Sequence, residues 1–289
     1  MNKKNLLLAI VLGISTLGVA TTFAGHTGVK ETKVKIHTNV GDIVIKLYNE
    51  TPQTRDNFIK LVNNKFYDST LFHRVIQGFM IQGGDPNSKN AKPGAMLGNG
   101  DAGYTVPAEI VPGLFHKKGV LATARQGDQV NPTKASSGCQ FYIVQGKKFT
   151  NGALDTMEER MNFGIKQQIF TKIIGRTENA ALKSKFIKFQ NESNIDSLQA
   201  LTKTIEPEID SLYNKADKFK FTPEQRAAYT TVGGTPQLDN NYTVFGEVIK
   251  GIEIVDKIAA VKTDHNDRPV DDVRIVGMKI THKFLLWYL

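Results

Sequence analysis

The sequence predicts a mainly β fold that is interrupted by a helical insertion. Short stretches of alternating apolar and polar residues recur towards both ends of the chain, as expected for half-buried strands. Between them, a long segment carries apolar residues at spacings of three and four, and outside it only two segments show helical periodicity. We therefore expect a sheet domain from residues 32–149 and 235–281, with residues 150–234 inserted as helices.

The composition is that of a soluble globular protein. Of the 289 residues, 40% are hydrophobic and 22% are charged. The formal net charge is +9, but the basic residues are spread among acidic ones, so we expect no nucleic-acid partner. The single cysteine, Cys139, excludes an internal disulfide and is interpreted as a small buried residue.

The N-terminus has the pattern of a secretory signal peptide, over residues 1–24. A lysine pair precedes a short apolar run, and Thr22 and Ala24 place small residues where a signal peptidase cleaves. The run is short for a membrane span, so we expect a mature chain that starts near Gly25 without a stable membrane span. The predicted location is the periplasm or the exterior; the alternative is a membrane anchor formed by an uncleaved N-terminal segment.

The first elements after this segment are a hairpin and a helix. Alternating apolar residues predict strands over residues 32–38 and 43–47. Pro52 is suited to the first position of a helix, and Phe58 and Val62 lie on its apolar stripe.

The pattern of apolar, polar and turn residues over residues 71–85 predicts a strand, a turn and a second strand. In the second strand Phe79 and Ile81 are expected on one face, and Met80 and Gln82 on the other. A rigid sheet that carries a cation, an aromatic ring, a thioether and an amide within a few residues is well suited to hold a site.

From Phe72 onward the chain reads F-H-R-V-I-x-G-F-M-x-Q-G-G-D, which resembles the motif of the cyclophilins, the peptidyl-prolyl cis/trans isomerases. The resemblance implies that Arg74 is catalytic, that Phe79 and Gln82 act beside it, and that Met80 lines a proline pocket. Taken alone, Arg74 would be a solvated cation, and Phe79 and Met80 would be core residues. The motif as a whole favours a functional site over these separate structural interpretations.

Three later segments also resemble cyclophilin strands, at residues 119–125, 138–144 and 235–248. Together with Met80, they supply the implied substrate-binding residues: Ala124, Arg125, Gln140, Tyr142, Leu238 and Tyr242. The glycine-rich loop over residues 87–103 resembles the loop that borders the peptide groove in this family. This chain departs from the usual family residues at four places: Arg125 for asparagine, Tyr142 for phenylalanine, Gln237 for tryptophan and Tyr242 for histidine.

The resemblance implies a closed eight-stranded antiparallel barrel with a helix over each end. Segments 32–149 and 235–281 together match one such domain, and an apolar tail over residues 282–289 is not explained by it. We expect a monomer that needs neither cofactor nor metal.

The insertion, residues 150–234, is predicted to be helical, with a break at Pro207. Its apolar stripes must be buried, mostly against one another. It leaves after the strand of Tyr142 and returns before Leu238, so we expect it to emerge near the pocket rim. A more specific hypothesis is that part of the insertion overhangs the peptide groove and holds unfolded client proteins.

The resemblance thus implies a peptidyl-prolyl isomerase that acts on unfolded or partly folded polypeptides with X-Pro bonds, and with the signal-peptide pattern we expect it to assist the folding of exported proteins. A cyclophilin-fold binding module or chaperone with little turnover is the alternative, favoured by Gln237, Arg125 and Tyr242. A secreted hydrolase has weak support: His73 and the Ser136-Ser137 pair are present, but no nucleophile-elbow motif is.

Overall fold

The structure is a computed structural model that describes residues 31–281. The predicted signal peptide, residues 1–24, and the apolar tail, residues 282–289, lie outside the described residues. Across residues 31–281, none of the helices is both long enough and apolar enough to cross a membrane.

Eight strands form one antiparallel sheet in the order β10-β1-β2-β9-β6-β8-β4-β3, and β5 pairs with β7 in a two-stranded ribbon. The first and last main-sheet strands of the chain, β1 and β10, are neighbours, which joins its two ends. The strands are β1 (Lys33–Thr38), β2 (Asp42–Leu47), β3 (Phe72–Ile76), β4 (Met80–Gly83), β5 (Thr105–Val106), β6 (Val120–Thr123), β7 (Ser136–Ser137), β8 (Phe141–Val144), β9 (Val244–Lys250) and β10 (Ile275–Thr281).

The sheet curls so that its outer strands, β3 and β10, approach each other. Their described pairing is an isolated bridge between Leu71 and Arg274, flanked by backbone hydrogen bonds such as Phe72 N to Val273 O, 2.9 Å. No strand ladder joins them in the described sheet. The eight antiparallel strands are as predicted, whereas the complete closure of the barrel is not confirmed.

Six helices accompany the sheet: α1 (Pro52–Asn63), α2 (Asn151–Ile174), α3 (Ala180–Asn191), α4 (Ile195–Lys215), α5 (Pro223–Thr231) and α6 (Ile252–Ala259). Helices α1 and α6 bury Phe58 and Val255 against the same sheet core, as expected for the two capping helices. Helices α2 to α5 fall within the predicted insertion. Because of them, the described chain has more helix than strand, so the mainly β prediction holds for the barrel segments only.

An aromatic cluster fills the core of the curled sheet. The ring of Phe58 lies 5.1 Å from Tyr67, 5.5 Å from Phe141 and 5.3 Å from Phe245 between centroids. Such tilted and edge-to-face contacts are favourable beyond their buried area. Helix α1 is therefore anchored to strands β8 and β9 by one interlocked group of rings.

Strands β4, β6 and β8 are buried on both faces. Ile81, Leu121 and Ile143 are aligned across them and face the aromatic core. Their neighbours Ala122 and Tyr142 face the opposite side and form a second apolar cluster. The alternation of side chains along each strand thus separates the core from a second, outward surface.

The insertion has two parts, which we name the near lobe and the distal lobe. The near lobe comprises the start of α2, residues 219–221 and α5, and its Leu154, Phe221 and Tyr229 pack with Phe115 of the barrel segment. The distal lobe, residues 163–218, has its own core around Ile173 on α2 and Ile205 and Ile209 on α4. Packing of the insertion helices against one another is therefore observed, as expected.

Asn162 and Phe219 mark the boundary between the lobes. The Asn162 side-chain nitrogen Nδ2 donates to Phe219 O at 3.0 Å, and Phe219 N donates to the side-chain oxygen Oδ1 of Asn162 at 2.8 Å. The chain thus leaves and re-enters the distal lobe at adjacent points.

The predicted helix break at Pro207 is wrong. Helix α4 runs without interruption from Ile195 to Lys215 with Pro207 inside it. Proline removes one intrahelical hydrogen bond, but Ile205 and Ile209 on either side are both buried in the distal-lobe core. Tertiary packing therefore overrides the local preference against a helix.

Replacing Phe141 with alanine should lower the free energy of unfolding by about 3–5 kcal/mol, because its ring contacts Phe58, Tyr67 and Phe72 in the core. Phe163→Ala is the matched control, since that ring is 60% exposed and should change stability by less than about 0.5 kcal/mol. Denaturant unfolding measures both. Equal losses would contradict the assignment of the aromatic core.

Candidate active site

A cavity of about 290 Å³ opens on the outward face of β4, β6 and β8. Loop residues 95–99 and the segment before β10 complete its walls. The cavity brings together nine of the ten predicted site residues: Arg74, Phe79, Met80, Gln82, Ala124, Arg125, Tyr142, Leu238 and Tyr242.

Phe79 reaches the cavity by a different route from the one predicted. Strand β4 begins at Met80, so Phe79 lies in the turn before it and not within the strand. Its ring packs with the outward cluster and lines the cavity, whereas Ile81 faces the core. The expectation that Phe79 and Ile81 share a face is therefore wrong, because alternation applies only inside the strand.

Gln140 is the one predicted site residue that does not line this cavity. Its side-chain amide donates to Gly98 O at 2.9 Å and to Gly100 O at 2.6 Å. Its carbonyl oxygen accepts from the Gln82 amide at 2.9 Å. Gln140 therefore holds Gln82 and the neighbouring loop, and it lines an adjoining cavity of about 660 Å³ together with Gln82, Ala124 and Arg125. Gln82 itself lines the first cavity.

A buried carboxylate fixes the same loop. Asp85 follows β4 and is fully buried; one of its oxygens accepts from Asn87 N at 2.7 Å and the other from Gly98 N at 2.5 Å. The predicted groove-bordering loop thus lies against the cavity, and charge-assisted hydrogen bonds hold it there.

Arg74 stands on β3 at the edge of the cavity. Its side chain is 42% exposed, and its Nε lies 3.4 Å from an Asp267 carboxylate oxygen. The long distance and the exposure of both groups make this a weak ion pair. The terminal nitrogens of Arg74 therefore remain available to a ligand in the cavity.

Arg125 is held firmly by the protein itself. Its guanidinium lies 4.6 Å above the Tyr242 ring, its Nε donates to Asn241 O at 2.7 Å, and it pairs with Asp128 at 2.6 Å. Planar stacking with a fixed hydrogen bond is a geometry that suits arginine. At this position Arg125 lines the cavity together with Tyr242, and it also lines the adjoining cavity.

A buried chain of polar groups lies beneath Tyr142. The Tyr142 hydroxyl is 2.9 Å from Nε2 of His116, and the Nδ1 atom of His116 is 3.0 Å from Oδ1 of Asp239. Oδ2 of Asp239 accepts from the Tyr229 hydroxyl at 2.6 Å. Because an ionised carboxylate only accepts, Nδ1 carries a proton, and in the neutral imidazole Nε2 then accepts from Tyr142. Burial raises the pKa of Tyr142 well above its usual value, so its hydroxyl stays protonated.

A family model described as "Cyclophilin type peptidyl-prolyl cis-trans isomerase/CLD" matches residues 33–206 and 224–280. The chain belongs to this family. Both matched ranges enter the predicted insertion, over residues 150–206 and 224–234, so the match includes most of α5.

Similar proteins carry the name "Putative peptidyl-prolyl cis-trans isomerase". One from Staphylococcus haemolyticus is 30% identical over 88% of this chain and 93% of its own length. One from Staphylococcus aureus is 30% identical over 86% of this chain and 92% of its own length. A Cryptosporidium parvum cyclophilin-type isomerase shares the fold, with a TM-score of 0.50, 20% identity, and coverage of 88% of this chain and 99% of that one.

Several residues of this cyclophilin site were not predicted. They include Asp267 beside Arg74 and the His116–Asp239 pair beneath Tyr142. The dense turn residues around Asp267-Arg268-Pro269 could have indicated an ordered loop, but not its contact with Arg74. No sequence signal links His116 to Asp239, since 123 positions separate them.

His73 lies beside Arg74 and lines the cavity, but it is 97% buried. Neither ring nitrogen has a hydrogen-bond partner within residues 31–281. Burial lowers the pKa of His73 to about 4; Asp85 and the Leu71 backbone oppose this shift, and the cations Arg74 and Arg268 add to it. The imidazole is therefore neutral near pH 7, in agreement with a structural role.

The free energy of unfolding should decrease as the pH falls from 6.5 towards 4, because the unfolded chain binds a proton that folded His73 does not. A shift of this size corresponds to roughly 3 kcal/mol across the window. Denaturant unfolding at several pH values should show a flatter pH dependence for His73→Leu. His265→Gln is the exposed control and should keep the slope of the parent. Parallel pH profiles for the parent and His73→Leu would contradict this assignment.

Proposed function

We propose that the chain is a peptidyl-prolyl cis/trans isomerase that acts on X-Pro bonds in unfolded or partly folded polypeptides. The observation that carries the proposal is Arg74, an accessible guanidinium at the edge of a cavity with an apolar floor. Gln82, which lines the same cavity, adds a side-chain amide suited to hydrogen bonding with a peptide backbone.

The reaction makes a small energetic demand. An X-Pro bond rotates over a barrier of about 20 kcal/mol, within tens to hundreds of seconds. A kcat between about 10 and 1,000 per second requires that this barrier be lowered by about 4–7 kcal/mol. Rotation breaks no covalent bond and transfers no proton, so positioned polar contacts and an apolar pocket suffice.

Arg74 supplies the polar contact. As the bond twists, resonance is lost and the proline nitrogen gains a lone pair that can accept a hydrogen bond. A charge-assisted hydrogen bond from Arg74 to this nitrogen contributes about 1.5–3 kcal/mol. Because the planar bond lacks this lone pair, the contact favours the twisted state over the ground state.

The apolar residues supply the rest by fixing the proline ring. Phe79, Met80, Tyr142 and Leu238 line one continuous apolar part of the cavity. A ring held there, with the preceding residue hydrogen-bonded to Gln82, restricts rotation to one side of the bond.

A binding module without useful turnover is the second candidate. It is favoured by Arg125, a cavity-lining guanidinium that Tyr242, Asn241 and Asp128 hold in place. An isomerase assay on a peptide with one Ala-Pro bond decides between the two. Binding without acceleration would replace the isomerase proposal with the binding module.

We further propose that the substrates are exported proteins and that the chain works outside the cytoplasm. Support comes from the signal-peptide pattern over residues 1–24 alone. Cell fractionation with N-terminal sequencing tests it. A mature N-terminus near Gly25 in the exported fraction is expected, and a full-length cytoplasmic chain would refute the proposal.

Arg74→Ala should reduce kcat/KM on a short X-Pro peptide by about 10- to 100-fold, because one charge-assisted hydrogen bond is lost in the transition state. Arg74→Lys should also be impaired, since an ammonium cannot present the planar fork of donors. The control is Arg55→Ala on α1, which removes an equal charge far from the cavity-lining residues and should leave turnover unchanged. If Arg74→Ala retains turnover within about threefold of the parent, the role assigned to Arg74 is wrong.

Replacing residues 163–218 with a short Gly/Ser linker should leave turnover of short peptides within about twofold of the parent, because no distal-lobe residue lines the cavity. The Asn162–Phe219 contact gives the linker a short gap to close. If the lobe holds clients, catalysed refolding of a proline-limited protein should slow relative to the parent. Unchanged refolding would remove the distal lobe as a client-handling element.

A further inference from the structure

The hydroxyl of Tyr142 is turned away from the proline pocket and into the protein. The side chain lines the cavity with its ring, yet the residue is only 4% exposed. A buried hydroxyl without a partner is costly, and here His116 provides the acceptor at 2.9 Å. The two rings lie nearly parallel, with an interplanar angle of 15° and centroids 6.0 Å apart. The position of the pocket ring therefore depends on the position of the imidazole.

Asp239 in turn fixes the imidazole. Its Oδ1 accepts both from Nδ1 of His116 at 3.0 Å and from the His116 backbone N at 2.9 Å. Both residues are buried, so these charge-assisted bonds are only weakly screened. The ring of His116 is thereby held in one tautomer and one orientation.

The next group in this series of hydrogen bonds lies on α5, within the predicted insertion. Tyr229 on α5 donates its hydroxyl to Oδ2 of Asp239 at 2.6 Å, and the ring is completely buried. Phe115, Phe149 and Phe221 surround it, with centroids 5.6, 6.4 and 5.8 Å away. The other described contact to Oδ2 is a long one, from Gln225 at 3.5 Å. Tyr229 therefore makes the main hydrogen bond to this oxygen.

We propose that Tyr229 is a positioning residue for the proline pocket, acting on Tyr142 through Asp239 and His116. The inference rests on the proposed function and adds to it a role for the near lobe of the insertion. Without the Tyr229 hydroxyl, the Asp239 carboxylate loses its main Oδ2 partner and can rotate, and His116 and the Tyr142 ring follow. The proline ring is then bound less well, whereas the contact made by Arg74 is not directly changed.

The test compares Tyr229→Phe with Tyr213→Phe in the full-length chain. Tyr213 is a half-buried insertion tyrosine whose ring packs against Lys166 and Lys218 in the distal lobe, away from the cavity-lining residues. For Tyr229→Phe, KM and the Kd of a peptide with one Ala-Pro bond should rise roughly three- to tenfold, with kcat within about twofold of the parent. Tyr213→Phe should match the parent in all three. A Tyr229→Phe variant with the KM and Kd of the parent would overturn the proposal.

A double-mutant cycle distinguishes an effect on Kd that passes through these hydrogen bonds from one caused by a general loss of stability. Tyr142→Phe disconnects the pocket ring from His116, so adding Tyr229→Phe to it should change Kd no further. If Tyr229→Phe weakens binding by the same factor in both backgrounds, its effect does not pass through Tyr142 and the proposal is wrong. Kd is measured by titration without turnover. A parent that binds the peptide without accelerating rotation would therefore refute the proposed isomerase function and still leave this cycle decisive.

If Tyr229→Phe does not fold, a measurement on the parent chain still tests the proposal. In a chain with isotope-labelled tyrosines, the Tyr229 ring signal is identified by its contacts with Phe115 and Phe221. Adding the Ala-Pro peptide should shift this signal and leave that of Tyr213 in place. A Tyr229 signal that stays unchanged at saturating peptide would overturn the proposal.

Discussion

The central strands of this cyclophilin are buried on both faces, and the site depends on that constraint. Ile81 and Ile143 face the aromatic core, while their neighbours Met80 and Tyr142 face the cavity. A register slip of one residue in β4 or β8 would exchange the two sets. The interlocked rings around Phe58 therefore do more than stabilise the domain, because they keep the pocket floor facing outward.

Local patterns were sufficient for the strands and for most of the site. Alternation predicted β1 and β2 within a residue of their observed bounds, because the hydrophobic pattern and the strand period coincide. Arg74, Met80 and Gln82 lie within one contiguous motif, so these three cavity-lining residues could be recognised together. The predicted orientation of Phe79 was wrong because the alternation of side chains was applied to a residue in the turn before β4.

Contacts between distant segments could not be predicted. The pairing of His116 with Asp239, and of Arg74 with Asp267, arises only when separate loops meet at the sheet. The role of Gln140 as a support for Gln82 likewise depends on where the loop carbonyls of Gly98 and Gly100 lie. Pro207 shows the opposite case, since its local signal was clear and the packing of the distal lobe overrode it.

The side-by-side contact of Asn162 and Phe219 makes this point of the fold tolerant to changes in length. The entropy lost on closing a loop grows only with the logarithm of its length, so each doubling costs about 0.6 kcal/mol. A longer or shorter segment that starts and ends here adds little to the cost of folding the barrel. The same site would accept an unrelated domain whose termini lie close together, which makes it a natural attachment point for a recognition module of a different specificity.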